Sequence, residues 1–199
     1  MHINELLSLH RIAVQASAET VKQVHSEDLD RPTPCAQWTV ADLLAHMTAQ
    51  HHGFAAAACG RGGDLAAWRV NAPGPNPASE YADAAEDVLA AFNEPGVSER
   101  EFELPEFKPV SRFPATLAIG FHLIDYVVHD WDMARALGLD YKLAPELADV
   151  ALRIALAVPN GDNRLAPDTA FQPALTSTDT DPLRRILATL GRSPDWSRP

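Results

Sequence analysis

One stretch limits the possible folds of this chain more than any other: His122-Leu123-Ile124-Asp125-Tyr126-Val127-Val128-His129-Asp130-Trp131-Asp132. At about 100° per residue on a helix, His122, Asp125 and His129 fall within an arc of roughly 60°. The other side carries Leu123, Ile124, Val127, Val128 and Trp131. A helix that is apolar nearly all round belongs inside a protein. The polar stripe on it must then find partners, because buried polar groups without them are costly. A metal ion is one such partner.

Composition narrows the class. A chain of 199 residues is long enough for one domain with a full core, and 46% hydrophobic with 22% charged residues fits a globular protein. A formal charge of −11 weighs against nucleic acid and against anionic membrane surfaces. No apolar run approaches the roughly 18 residues of a membrane span. The opening Met1-His2-Ile3-Asn4-Glu5 lacks the basic and apolar regions of a signal peptide, so a cytoplasmic location is expected. Cys35 and Cys59 make no disulfide framework and no zinc spacing; both are expected as small buried residues.

Periodicity and punctuation predict helices near 3–24, 40–58, 79–92 and 115–137, which together would form the core bundle. Thr39-Val40-Ala41-Asp42 reads as a capping box with Asp in place of Glu. Ser79 is the expected cap of the third helix, and Gly138 the stop of the fourth. Pro145 opens a fifth helix to about Val158, and a short one runs from Leu183 to Leu190. Residues 93–114 read as irregular, with a short extended piece at 101–104, and 159–181 as a long surface loop. The expected fold is all-α, a four-helix bundle with additional short helices and long loops, in a single domain over 1–199.

His46 borders the apolar face of the second helix and is placed to point towards Asp125 and His129. Inward side chains from facing helices are how bundle metal sites are built. Two imidazoles and a carboxylate suit zinc, nickel, iron or manganese, and three protein ligands leave positions open. The residues alone also admit a simpler reading. In it His46 is a satisfied core histidine, and Asp125 and His129 form an intrahelical hydrogen bond. His122 stands as a fourth ligand, a residue behind the ligands or a solvent-facing group. Asp132 would orient His129 or pair with Arg135. His51 and His52 read as surface or rim residues, and Trp38 and Trp131 as core anchors. Arg112, Arg135 and Arg153 are candidates for binding a carboxylate.

The segment Thr33-Pro34-Cys35-Ala36-Gln37-Trp38-Thr39-Val40-Ala41-Asp42-Leu43-Leu44-Ala45-His46-Met47 resembles the opening motif of the mycothiol-dependent maleylpyruvate isomerase N-terminal family, within the DinB-like superfamily. Asp125 to Gly138 resembles its second motif. Leu190-Gly191-Arg192-Ser193-Pro194-Asp195-Trp196 is similar to the tail of an actinobacterial subgroup of metal-binding proteins. The resemblance implies a DinB-like four-helix bundle. It also implies metal ligands at His46, Asp125 and His129, with Asp125 standing where the family pattern has Glu.

The isomerase of that family has a second, C-terminal domain contributing to its active site, for which this chain has no expected counterpart. The resemblance therefore implies an open divalent metal site, zinc first and nickel, manganese or iron as alternatives, rather than maleylpyruvate isomerisation itself. Mycothiol or a related thiol would act on a small electrophile in a transfer or isomerisation. The other reading is a non-catalytic metal- or ligand-binding protein whose metal is structural or vestigial. Either would be a monomer or homodimer, with no nucleic-acid or membrane partner.

Overall fold

The computed structural model describes residues 1–35, 37–107, 111–165 and 171–198. Four long helices form the core: α1 (Ile3–Val21), α2 (Val40–Ala58), α3 (Pro77–Phe92) and α4 (Ala115–Leu137). Each packs against two neighbours, in the ring order α1, α4, α2, α3. Side-chain contacts set the directions. His10 meets His122 and Thr20 meets Asp130, so α1 and α4 run parallel. His46 meets Asp125 while His51 meets His122, so α2 runs antiparallel to α4. Ser17 meets Tyr81 and His10 meets Phe92, so α3 is antiparallel to α1. The order is up, down, down, up.

This topology needs one long crossover, between α2 and α3, which both run down. Residues 59–76 supply it. Trp68 of the crossover lies on α2 where Gly53 leaves room; a Cβ there would stand 2.2 Å from the indole ring. The α3–α4 connection carries a two-stranded antiparallel hairpin, β1 (Glu101–Glu103) with β2 (Arg112–Pro114), registered Phe102 to Phe113. It contains the extended piece expected at 101–104.

α4 is enclosed by α1, α2 and α5 (Pro145–Ala157), and most of its residues are buried on every side. α6 (Pro182–Thr189) packs on α5. The α2 start is the expected capping box: Asp42 N–H donates to Thr39 Oγ1 at 3.2 Å, and Thr39 N–H to Asp42 Oδ2 at 2.9 Å. Gly138 closes α4 at φ 77°. Ser79 is not a cap. α3 begins two residues earlier, at Pro77, whose missing N–H costs nothing in a first turn. Among its described residues the 159–181 segment is the largely exposed loop expected, held down at one point. Arg164 within it is buried and donates to the carbonyls of Pro159, Val158, Gln172 and Thr189. Among the described residues no helix is long and apolar enough to cross a membrane.

Candidate metal centre

The α2–α4 pairing brings His46, Asp125 and His129 together. Asp125 and His129 are one turn apart on α4, and His46 faces them from α2. His129 Nε2 lies 3.3 Å from Asp125 Oδ1, and His46 Nε2 lies 3.9 Å from Asp125 Oδ2. One ligand atom from each of the three falls within 4.8 Å of the others. Two donors about 2.1 Å from a common ion stand roughly 3.4 Å apart in tetrahedral geometry, so the 3.3 Å between His129 and Asp125 fits a first-row divalent metal, and the 3.9 Å to His46 is longer. Asp125 and His46 keep some exposure, whereas His129 is buried. The Trp38 ring covers the centre, 4.8 Å from the His46 ring and 6.1 Å from that of His129. Trp38 is half-buried, packed against the edge of the core beside the site; Trp131 is buried.

Behind His129 lies a chain of charges. His129 Nδ1 donates to Asp132 Oδ2 at 3.0 Å, which leaves Nε2 facing Asp125. Asp132 pairs with Arg192, whose Nε lies 3.1 Å from both carboxylate oxygens. Arg135 instead donates to the Trp196 carbonyl. Arg192 is 2% exposed and Asp132 fully buried. Gly191, at φ 78°, turns the chain at the end of α6, and Arg192 N–H closes the turn on the Leu187 carbonyl at 2.8 Å. Arg192 Nη2 also donates to Cys35 Sγ at 3.3 Å. One guanidinium thus ties α4 to the loop that carries Trp38.

These charges divide the two imidazoles. Burial alone would lower His129, but Asp125 and Asp132 outweigh it and lift it to about 9. His46 is pushed down to about 4 by burial, then by the neighbouring His129 cation, against Asp125. Burial opposes the charges of Asp125 and Asp132. His129, His46 and Arg192 nevertheless hold Asp125 below its usual range, and Arg192 and His129 do the same for Asp132. Without metal, His129 is therefore an imidazolium between two carboxylates. Burial pushes the Cys35 thiol up to about 12, against Arg192.

The sequence matches the mycothiol maleylpyruvate isomerase N-terminal domain family over residues 10–134, well over half the chain. The chain belongs to that family. It is 28% identical over 192 residues to uncharacterised proteins of Mycobacterium tuberculosis strains CDC 1551 and H37Rv, covering 94% of this chain and 97% of each relative. Crystal structures of the mycothiol-dependent maleylpyruvate isomerase and of a point mutant superpose with TM-score 0.58 at 14% identity, over 83% of this chain and 72% of theirs. At that identity the likeness is one of fold. The architecture is the all-α, DinB-like bundle expected from the sequence.

In this family member His122 does not join the trio. Its Nδ1 is hydrogen-bonded to His10 Nε2 at 2.8 Å and its Nε2 lies 3.3 Å from His51 Nδ1, so both ring nitrogens are engaged by other imidazoles. It is neither a fourth ligand nor solvent-facing. The reason is helical register: His122 sits one turn before Asp125, at the level where α1 contributes a partner. All three rings are buried, and Phe54, Phe92, Tyr81 and Tyr126 pack around them. His51 was expected at the surface or rim and is fully buried, while His52 is exposed. Cys59, expected buried, is exposed, and Cys35 is half-buried.

Sequence reading missed His10, His51 and Arg192 as parts of polar clusters. A signal existed for two of them. His10 lies four residues from both Leu6 and Val14, and His51 lies four after Met47 and three before Phe54, so each sits on an apolar stripe. Arg192 had no periodic signal.

The exposed side of the trio is bounded by groups one turn further along each helix. Gln50, on the His46 face of α2, donates to Glu106 Oε2 at 3.4 Å. Phe121, on the Asp125 face of α4, stacks on Phe107 with centroids 5.2 Å apart. Glu106 is pushed up to about 7 by burial and by the charge of Asp125. The hydrogen bond from Gln50 works against that rise, and Glu106 is exposed as a whole residue. An open groove of about 590 Å³ lies elsewhere, between α2, α3 and the crossover beside His52, Arg61 and Arg69. It contains none of the trio. Arg112 pairs with Glu103 on the hairpin, apart from the trio's own contacts.

Proposed function

We propose that this chain is a divalent-metal protein that uses a low-molecular-weight thiol, such as mycothiol, on a small electrophile in a transfer or isomerisation. The observation that carries the reading is the convergence of His46, Asp125 and His129 on one partly exposed point, with His129 held from behind by Asp132. Zinc is the first candidate, with nickel, manganese and iron behind it. Bound there, the metal would take the thiol sulfur and favour its thiolate form near neutral pH.

The residues divide the remaining work. Asp132 keeps the His129 Nδ1–H donated and Nε2 free. Asp125 supplies negative charge beside both imidazoles. Trp38 shields one flank from water, and the Phe107 and Phe121 rings give an electrophile an apolar wall on the other. Glu106, poised near neutrality, can exchange a proton at the rim. Holding thiol and electrophile side by side would contribute rate through proximity.

The non-catalytic alternative has a structural or a vestigial metal, and a structural one would call for a closed shell. Among the described residues the cluster has three candidate ligands, and His122 is engaged elsewhere, which favours the open-site reading. The test is to load the chain with zinc, count metal per chain, and titrate mycothiol, bacillithiol and glutathione by calorimetry. Each thiol is then assayed against maleyl compounds, epoxides and halogenated electrophiles. One metal per chain and thiol-dependent turnover that disappears with His46→Ala is the expected result. Metal uptake with no thiol binding and no turnover would return the chain to the binding-protein reading.

A further inference from the structure

We infer that Arg192 sets the charge of the loaded centre so that it favours an anionic exogenous ligand. The inference rests on the reading of His46, Asp125 and His129 as ligands of a divalent ion. A carboxylate behind a ligand histidine orients the ring, but it also places a negative charge next to the ion. Here that carboxylate, Asp132, is fully buried and is matched by an equally buried guanidinium.

Counting the ion's own charge decides what the centre attracts. As ligands, His46 and His129 are neutral, and Cys35 stays a thiol. The ion's two positive charges and the one on Arg192 meet the single negative charges of Asp125 and Asp132. One positive charge is left over, and an incoming monoanion such as a thiolate makes the group neutral. Without Arg192 the two carboxylates already cancel the ion, and an anion gains no net attraction. The charge comes from the segment after α6, beyond the 10–134 region that matches the family. It reaches the centre only because the Gly191 turn sends Arg192 inward.

Removing Arg192 should therefore move two affinities in opposite directions. The metal is held more tightly, because a repelling charge has gone, and the anion more weakly. At an effective dielectric near 20, one charge several ångströms away changes an affinity by roughly ten- to a hundredfold. Asp132→Asn should do the reverse, since Asn Oδ1 still accepts from His129 Nδ1 while a negative charge is lost. The double variant Asp132→Asn/Arg192→Met restores the wild-type net charge and should restore both affinities. Glu106 at the rim is common to all four chains and cancels from the comparison.

The experiment loads full-length chains with cobalt(II), measures metal affinity against a competing chelator, and titrates sodium azide by visible absorption. The expected azide affinity is highest for Asp132→Asn, equal for wild type and the double variant, and lowest for Arg192→Met; metal affinity follows the opposite order. A purely structural role for Arg192 would weaken both affinities in both single variants, and that result would overturn the inference. The double variant keeps the test decisive if a single variant, left with one unpaired buried charge, fails to fold: its azide affinity must match wild type. Wild-type chain that takes up no cobalt would overturn the ligand reading and this inference with it. Cobalt uptake with azide affinity indifferent to these charges would overturn the inference alone.

Discussion

Two histidine clusters lie one above the other between the same two helices, and they are opposites. His46 and His129 sit among carboxylates at the partly open level of the α2–α4 seam. About one turn away, His51 and His122 meet His10 in a sealed pocket of aromatic rings, with no carboxylate among their hydrogen-bond partners. The first cluster holds one imidazole charged; the second holds all three neutral, His10 pushed down to about 3 by burial and then Arg11, and His51 and His122 well below their usual range by burial and then by neighbouring imidazoles. Burial does not separate them, since His129 is as hidden as His10. The neighbours do: a carboxylate within about 4 Å can outweigh desolvation, and another imidazole cannot.

The sharpest way to break this contrast is to remove one ring from each cluster. His129→Ala is expected to abolish stoichiometric zinc, while His51→Ala keeps one zinc per chain, read by elemental analysis after dialysis. Equal loss in both variants would mean that the clusters are not functionally distinct.

Proton competition is the next largest effect. A metal ion must displace the proton that His129 holds up to about 9. Zinc affinity should therefore rise about tenfold per pH unit towards that value, and roughly a hundredfold between pH 6 and pH 8, with one proton released per ion. Calorimetry in buffers of different ionisation enthalpy counts that proton. A flat profile would show that the apo site is not the ion-paired imidazolium described.

Stability should set His129 against the sealed cluster with opposite signs, His46 sharing the acid sign of the sealed cluster because it too is pushed down. The unfolded histidines titrate near 6.5. His10, His51 and His122 cannot take up protons while folded, so their stability contribution is complete above about pH 6.5 and is lost as pH falls below it. Each withdraws about 1.4 kcal/mol per pH unit. His129 is raised instead, so its contribution in metal-free protein is present below about pH 6.5 and lost as pH rises through about 9. Urea unfolding at pH 7, 6 and 5 should show the acid slope, and His51→Gln should reduce it by about one histidine's share. An unchanged slope would place the acid sensitivity outside the sealed cluster.

The smallest effect separates both clusters from the helix that carries them. Thr39→Ala removes the α2 cap and should cost about 1 kcal/mol in unfolding free energy. Zinc stoichiometry should remain at one per chain, because the cap lies at the helix end and orders no ligand directly. Loss of zinc at full folding would show that the start of α2 positions His46 more tightly than the structure implies.

The long, strongly patterned elements were legible in the sequence. α2 carries its own start signal and α4 its own stop, and the all-round apolar pattern of α4 announced its central place because periodicity is a local property. Asp125 and His129 were readable as a pair for the same reason, being one turn apart on one helix. His46 was placed with them by its position beside an apolar face and by the family motif, whereas what sent His122 to His10 and His51, and delivered Arg192 to Asp132, was decided by tertiary structure. Those contacts depend on ring order, helix direction and the turn at Gly191, which couple residues 60 to 112 positions apart. A single sequence records which side chains a helix presents to one face. The partner across that face is settled only when the whole apolar surface finds the packing that buries it.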